Sequence, residues 1–489
     1  MRVLLDTNIL IGREDARTVP GQFADLIRIL IQNAVPVLLH PLSLEEIRRD
    51  PDELRRDVMI SKAHAYPQVE DPPKVDSKFV ERYGRSHDSH DTVDQALLFC
   101  VHKNAVDFLI TEDQDLLRAA GKLGLRDRTL TVASALEYFS AFFGRALPPV
   151  PVYIHKTQLH SLDLQDSFFD SFRGDYPGFN LWFEKSAREG RICYSVRLPG
   201  GRIGAILIIK EESEPLAGLP ASRRLKIASM KVSNALAGYR VGELLLSIPL
   251  HYCDVNRIDQ CFVTVFSKYE SLIDLFSLFG FQDIGATPLG ERILLKHFGS
   301  GQDPSSFDAL TYLHRFFPRY RSDLGVRKFL VPIKPDYHSL LFPEDGPHFH
   351  QTTLDGMFVP SSSAGNAVRK AYLCNAKTTQ VRSGDIALFY RSHDRHLITH
   401  VGVVEQVEYC ESVEELLRFA GNRTVLSQSK LEQLVRSRVL ALLFWNIGRI
   451  YPTRGLRDLR ELGLGWPQSI TELADEHFVR LYPALRVEP

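Results

Sequence analysis

Residues 2–8, Arg2-Val3-Leu4-Leu5-Asp6-Thr7-Asn8, set a short apolar run directly before an acid. Residues 107–115, Asp107-Phe108-Leu109-Ile110-Thr111-Glu112-Asp113-Gln114-Asp115, repeat the device. Short apolar runs bounded by polar residues read as buried strands. Around them the chain supplies a helical pattern over 21–32, a strand over 35–39, a helix starting at 44–49 and another over 92–102. Strands alternating with helices imply a parallel sheet with helices on both faces, an α/β/α domain.

A sheet of that kind binds ligands beyond the carboxyl ends of its strands, which is where Asp6 and Asp113 are expected to converge. Glu46 lies early in a helix that follows the strand ending at Leu39. Asp94 lies on a helix with Asp91 one turn earlier on the same face. Carboxylates crowded together repel one another unless a cation neutralises them. Mg²⁺ or Mn²⁺ prefers such oxygen ligands, keeps several waters, and can activate one of them while stabilising phosphoryl charge. Taken singly, each acid reads as well as a turn or cap residue at a strand-to-helix junction. The ordered set is what points to chemistry.

That set is an early strand followed by Asp6-Thr7-Asn8, then Glu46, then Asp94 ahead of Ala96-Leu97-Leu98, then Thr111 to Asp115. It resembles the PIN domain family over residues 1–146. The resemblance implies cleavage of single-stranded RNA with Asp6, Glu46, Asp94 and Asp113 as catalytic carboxylates. It implies Asp6, Asp94 and Asp113 as metal ligands, with Asp115 in the usual auxiliary position. Glu45 competes with Glu46 for its role, Asp91 is a candidate helper of Asp94, and Thr7 and Asn8 are placed to orient ligands.

A chain of 489 residues exceeds one ordinary core and suggests about three domains. The hydrophobic fraction of 44% and charged fraction of 24% are those of globular protein, which excludes a disordered or fibrous chain. A net charge of −1 confines nucleic-acid binding to local basic patches. Six scattered cysteines with no C-x-x-C pair suit reduced thiols in a cytoplasm. The opening residues do not form a signal peptide, and apolar runs such as 439–445 are far short of a membrane span. A cytoplasmic protein without a membrane partner is the expectation; self-association is left open.

Two seams divide the chain, a Pro-rich break at 146–151 and a polar turn-forming stretch at 299–306. The middle segment opens helix-rich over 164–187. Strands follow over 192–198 and 202–210, joined at Pro199-Gly200-Gly201, a hairpin signal. A strand over 226–232 then leads into Asn234 to Gly242 and an amphipathic helix over 243–247. A strand, a glycine-containing turn and a helix N-terminus present amide groups to a phosphate. A strand over 261–266, a helix over 271–276 and Phe279-Gly280-Phe281 come next.

Residues 152–298 resemble the GCN5-related N-acetyltransferase (GNAT) family, a mixed α/β fold that binds acetyl-CoA. The resemblance assigns Val232, Ala237, Gly238, Tyr239, Arg240, Val241 and Gly242 to the pyrophosphate cradle. Against the family's Q/R-x-x-G-x-G/A loop, Ala237 and Arg240 replace the first and fourth positions while Gly242 keeps the last. Phe276 stands where many members place a general-acid tyrosine, and Tyr269 is poorly positioned to replace it. Glu211, Glu212 and Glu214 are the acids available as a base, and solvated loop residues otherwise.

The last segment gives strands over 385–390, 399–407 and 439–445, with a polar helix over 412–420 between the second and third. Residues 325–489 resemble the PUA-like group, particularly ASCH and EVE modules, small β-barrels with helices that hold RNA or a modified base. The G-x-K-x-x-E-x-R signature of catalytic ASCH members is absent. Arg391, Arg395, Arg436, Arg438, Arg449 and Arg454 interleave with Tyr390, Trp445 and Tyr451, the mixture that single-stranded binding needs. His393, His396 and His400 have no cysteine partners to suggest a metal site.

The expectation is therefore an α/β multidomain protein. It joins a PIN-like parallel sheet, a GNAT-like domain and a PUA-like barrel, and acts as a metal-dependent endoribonuclease on single-stranded or structured RNA such as tRNA. Toxin, tRNA-targeting and phage-defence settings all suit it. The alternatives are an N-acetyltransferase acting on an RNA-associated substrate and a non-catalytic RNA-binding regulator.

Overall fold

The computed structural model describes residues 1–11, 20–49, 56, 60, 63, 66–84, 89–143, 152–198, 201–233, 236, 240–299, 302–342, 356–359, 363–483 and 486–488. The protein is a mixed α/β multidomain chain with one parallel and two mixed sheets. It divides into two compact units, Met1–Leu147 with Cys410–Arg438, and Pro148–Tyr409 with Val439–Pro489.

In the first unit, β1 (Val3–Leu5), β2 (Val37–Leu39), β3 (Phe108–Ile110) and β4 (Thr129–Leu130) form a parallel sheet in the order β2-β1-β3-β4. Every residue of β1 and β3 is buried, as a parallel sheet sandwiched by helices requires. The helices are α1 (Thr7–Ile11), α2 (Pro20–Gln32), α3 (Pro41–Arg48), α4 (Ser77–Tyr83), α5 (Ser89–His102), α6 (Gln114–Lys122) and α7 (Val132–Phe142). Pro41 at the first position and the His40 ring accepting from the Leu42 amide start α3; Asp113 caps α6 and Thr131 caps α7.

The polar helix expected inside the C-terminal segment belongs to this first unit. Ser412 caps the helix Val413–Ala420, which buries Leu416, Leu417 and Phe419. Gly421 then lies so close to residue 127 that a Cβ would stand 2.4 Å from the Asp127 carbonyl, with φ at +52°. The buried Arg423 guanidinium meets the Asp127 carboxylate at 2.7 Å. Sequence spacing puts residues 410–438 with the third segment, and the structure puts them in the first unit, because covalent neighbourhood does not decide against which core an amphipathic helix buries its apolar face.

In the second unit, β5 (Val152–Thr157), β6 (Ile192–Arg197), β7 (Ile203–Glu212), β8 (Arg224–Val232), β9 (Gln260–Phe266), β10 (Gln282–Ala286) and β11 (Glu291–His297) build an eight-stranded sheet. The eighth strand, β13 (Gly356–Val359), comes from much later in the chain and pairs antiparallel with β5. The β8–β9 pair is parallel, and its pairing covers Leu225 to Ile227 against Cys261 to Val263. Both strands continue past that point, so the sheet opens there. A Cβ on Gly204 would lie 2.9 Å from the Leu198 side chain, which explains a glycine inside β7.

The helices of this sheet are α8 (Asp170–Asp175), α9 (Phe179–Arg188), α10 (Val241–Val255) and α11 (Glu270–Leu278). The helix expected to be short and amphipathic over 243–247 is α10, three times as long and buried over most of its length. It is hydrophobic nearly all round because a second layer covers it. That layer is a seven-stranded sheet comprising β12 (Lys328–Ile333), β14 (Arg369–Cys374), β15 (Ile386–Arg391), β16 (Leu397–Cys410), β17 (Val439–Gly455), β18 (Thr471–Leu473) and β19 (Arg486–Glu488). One hydrophobic core runs from Ile154 to Tyr482 through both sheets. His251 of α10 hydrogen-bonds through Nε2 to the Ile447 carbonyl at 2.9 Å, and Phe279 meets Trp445 edge-on at 5.6 Å. The buried Lys296 ammonium donates to the carbonyls of Phe279 and Arg315, joining two chain segments, and burial lowers its pKa to about 7.

Candidate functional site

The register of β1 on β3 pairs Leu5 with Ile110, so the residues that follow, Asp6 and Thr111, emerge side by side. Thr111 Oγ1 donates to Asp6 Oδ2 at 2.6 Å and accepts from Asn8 Nδ2 and the Asp113 amide. One donor and two lone pairs are thus all used, and the loops after both strands are locked together. Thr7 Oγ1 donates to Glu46 Oε2 at 3.0 Å, which draws α3 to the same place. Glu45, one residue earlier, points outward to Arg49. Asp94 comes in on α5.

The four acids expected from the sequence are therefore brought into one electrostatic neighbourhood. Asp6 is buried; desolvation raises its pKa to about 6 against the opposing Thr111 and Asn8 hydrogen bonds, helped by the charges of Asp113 and Glu46. Asp94 is raised further, to about 8, first by burial and then by the charges of Asp6, Asp113, Glu46 and Asp91. A site that favours protons on carboxylates at neutral pH is one that a divalent cation would neutralise.

The expected metal set does not stand as a preformed chelate. Among the described residues no group of three His, Cys, Asp or Glu side chains is placed to hold a metal ion. Asp113 Oδ1 is taken up capping α6 through the amides of Asp115 and Leu116. Asp115 is exposed and pairs with Arg118 rather than turning inward. The residue that sequence reading missed is Tyr83. Its hydroxyl is held well above the ordinary phenol value, first by burial and then by the charges of Asp94, Asp91, Asp113 and Asp115. Nothing in the pattern of α4 marks it out.

In the second unit the described part of the expected cradle is Val232, Arg240, Val241 and Gly242; Ala237, Gly238 and Tyr239 lie outside the described residues. Arg240 caps α10 in a left-handed conformation, φ +54°. Its guanidinium meets Glu243 Oε1 at 2.9 Å, while Glu243 Oε2 accepts the Val368 amide at 3.0 Å. An internal carboxylate thus stands at the helix N-terminus where a phosphate would otherwise be favoured. Phe276 is wholly buried against Phe281. The Tyr269 hydroxyl is bonded to Asp175. Glu211 is held by Arg223 and Tyr252, which keep it ionised below its ordinary value despite some burial. Tyr176, which the sequence did not flag, donates to Glu291 at 2.6 Å and packs on Phe266, where β9 ends.

The aromatic–basic mixture of the last segment is redistributed by folding. Tyr390 and Trp445 are core residues, 0% and 1% exposed, and cannot stack on a base. Both strands are buried on their two faces at these positions. Arg391 is buried and clamped by Asp394, Arg454 is held by Asp458, and Arg436 and Arg438 lie in the inserted segment of the first unit. His400 is buried, stacked on Phe342 at 4.1 Å, while His393 lies exposed at the β15–β16 turn; the three histidines form no metal site.

No family model matches the chain, and no curated relative does. Solved structures are similar to it in part, three of them as follows. The ASCH protein of Zymomonas mobilis is 13% identical over 33% of this chain and 96% of its own, with a TM-score of 0.25. The PaiA N-acetyltransferase of Thermoplasma acidophilum, solved with coenzyme A, is 12% identical over 30% and 99%, with a TM-score of 0.23. A GNAT-family acetyltransferase of Staphylococcus aureus Mu50 is 15% identical over 30% and 98%, with a TM-score of 0.23. Among the described residues no helix is long and apolar enough to cross a membrane.

Proposed function

We propose that the first unit is a metal-dependent endoribonuclease of the PIN type. The observation that carries this is the gathering of Asp6, Glu46, Asp94 and Asp113 from four separate segments, close enough for Asp94 to be held at about 8. Asp6, Asp94 and the free oxygen of Asp113 would hold Mg²⁺ or Mn²⁺. Such a cation supplies the positive charge that phosphoryl transfer requires. The chain's own part is positional. Thr111 fixes Asp6, Thr7 fixes Glu46, and the α6 cap fixes Asp113, so acids from both sheet and helices stay within one site. The test is cleavage of single-stranded RNA in Mn²⁺ and in EDTA by the parent, Asp6→Asn and Asp113→Asn. Loss in EDTA and in both variants is expected; cleavage unchanged in both folded variants would overturn the site.

A second reading is an acyl-CoA-dependent N-acetyltransferase in residues 152–298, and the acetyltransferase structures named above correspond to it. The parallel β8–β9 pair that separates after Ile227 and Val263, followed by the N-terminus of α10, supports a bound thioester. With Phe276 unable to donate a proton, slow transfer is expected, since such help is worth about 10² to 10⁴ in rate. Thermal melting with saturating acetyl-CoA tests binding, and no shift means that the cradle is vestigial. In both readings the part of residues 325–489 that lies in the second unit selects an RNA or RNA-associated substrate.

A further inference from the structure

We propose that Trp466, together with the β15–β16 hairpin that carries His396, is a stacking platform for an unpaired base of single-stranded RNA. This rests on the RNA-directed reading above and names where that RNA is held. The Trp466 indole is 46% exposed, whereas Trp445 is buried in the shared core. Leaving part of so large an apolar ring in water forgoes burial that a ligand covering it recovers. The His396 ring lies 6.1 Å from the indole at 48°, an open wedge rather than a closed stack.

The wedge is braced. His396 Nδ1 lies 3.3 Å from the hydroxyl of the buried Tyr390, and the His396 carbonyl accepts the Leu456 amide at 3.1 Å. A Cβ on Gly455 would stand 3.2 Å from that same carbonyl, so glycine there lets β17 pass close beneath the hairpin. A braced His396 ring beside an exposed indole presents one fixed wall to a flat partner. Cationic charge is available beside them. Arg395 adjoins His396 in the hairpin, Arg460 acts on the Tyr390 hydroxyl, and neither is paired with a carboxylate among the described residues. An exposed aromatic face with cationic charge in its neighbourhood is the chemistry of a base on its phosphate backbone.

The experiment uses the full chain in EDTA, so that binding is read without cleavage, with a fluorescein-labelled oligouridine at low salt. Anisotropy gives affinity, and tryptophan emission reports contact with the ring directly. The parent is expected to bind with quenched emission. Trp466→Ala should weaken binding about 5- to 100-fold and remove the quench; Trp466→Phe should keep part of the affinity. Joint replacement of Arg395 and Arg460 by Ala should lessen the salt dependence. Unchanged affinity in Trp466→Ala while the parent binds would overturn the platform and leave the RNA reading standing. No binding by the parent would overturn both. Self-association lost in Trp466→Ala, without RNA binding, would make the patch a protein interface instead.

Discussion

Replacing Asp94 by asparagine should stabilise the protein in metal-free buffer at alkaline pH while removing its response to metal. Asp94 is held at about 8 by burial first, and then by Asp6, Asp113, Glu46 and Asp91. Against an ordinary value near 3.8, at about 1.4 kcal/mol for each pH unit, ionising it in the fold costs at most about 5–6 kcal/mol. Asp6 titrates with it, so part of that cost belongs to the pair. The sign follows from proton counting. Between pH 4 and 8 the folded protein binds more protons than the unfolded chain, so the stability that the raised carboxyl contributes is complete below pH 4 and lost as pH rises through 8. Asparagine has nothing to lose. In EDTA the parent's melting temperature should therefore fall between pH 5 and 9 by more than the variant's. A difference of a few kcal/mol corresponds to roughly 2–4 °C for each kcal/mol. Adding Mn²⁺ at pH 8 should raise the melting temperature of the parent and not of Asp94→Asn. A variant less stable than the parent at pH 9 in EDTA, or one that keeps the full Mn²⁺ shift, would refute the reasoning.

Thr111→Val removes the hydroxyl that serves Asp6, Asn8 and Asp113 together, and should cost about 10- to 100-fold in Mn²⁺-dependent cleavage; a Mn²⁺ titration that superimposes on the parent's would contradict that role. Gly421→Ala drives a Cβ into the Asp127 backbone from a left-handed conformation, so urea unfolding of the first unit should shift by more than about 1 kcal/mol. An unshifted transition would mean that the inserted segment docks less tightly than its contacts indicate. Glu243→Gln removes the anion beside Arg240 and should tighten acetyl-CoA binding about 2- to 5-fold by calorimetry; equal or weaker binding would show that Glu243 does not compete for the cradle.

The parallel sheet of the first unit and the meeting of its acids were legible because both depend on local order. Apolar triplets set the strands, and an acid directly after a strand must appear at its carboxyl end. Which glutamate faces inward was not legible, since Glu45 and Glu46 differ only by the rotation of α3 against Thr7. Tyr83 was not legible either, because its role comes from where α4 packs. In the last segment β15 and the first part of β17 are buried on both faces, which a short apolar run does not reveal, and the aromatic residues Tyr390 and Trp445 are core. An exposed indole in a segment with little periodicity, Trp466, drew no notice.

By itself the sequence determined the short strands that precede the acids, the hairpin of the middle segment and the identity of the clustered carboxylates, because turns, caps and apolar periodicity act over a few residues. The tertiary structure alone decided three things. Residues 410–438 join the first unit, β13 completes the sheet begun at β5, and the segments on either side of the second seam share one core. Each of these depends on which apolar surfaces meet across hundreds of residues, and burial is non-directional: an apolar face specifies that it must be covered, but not by what.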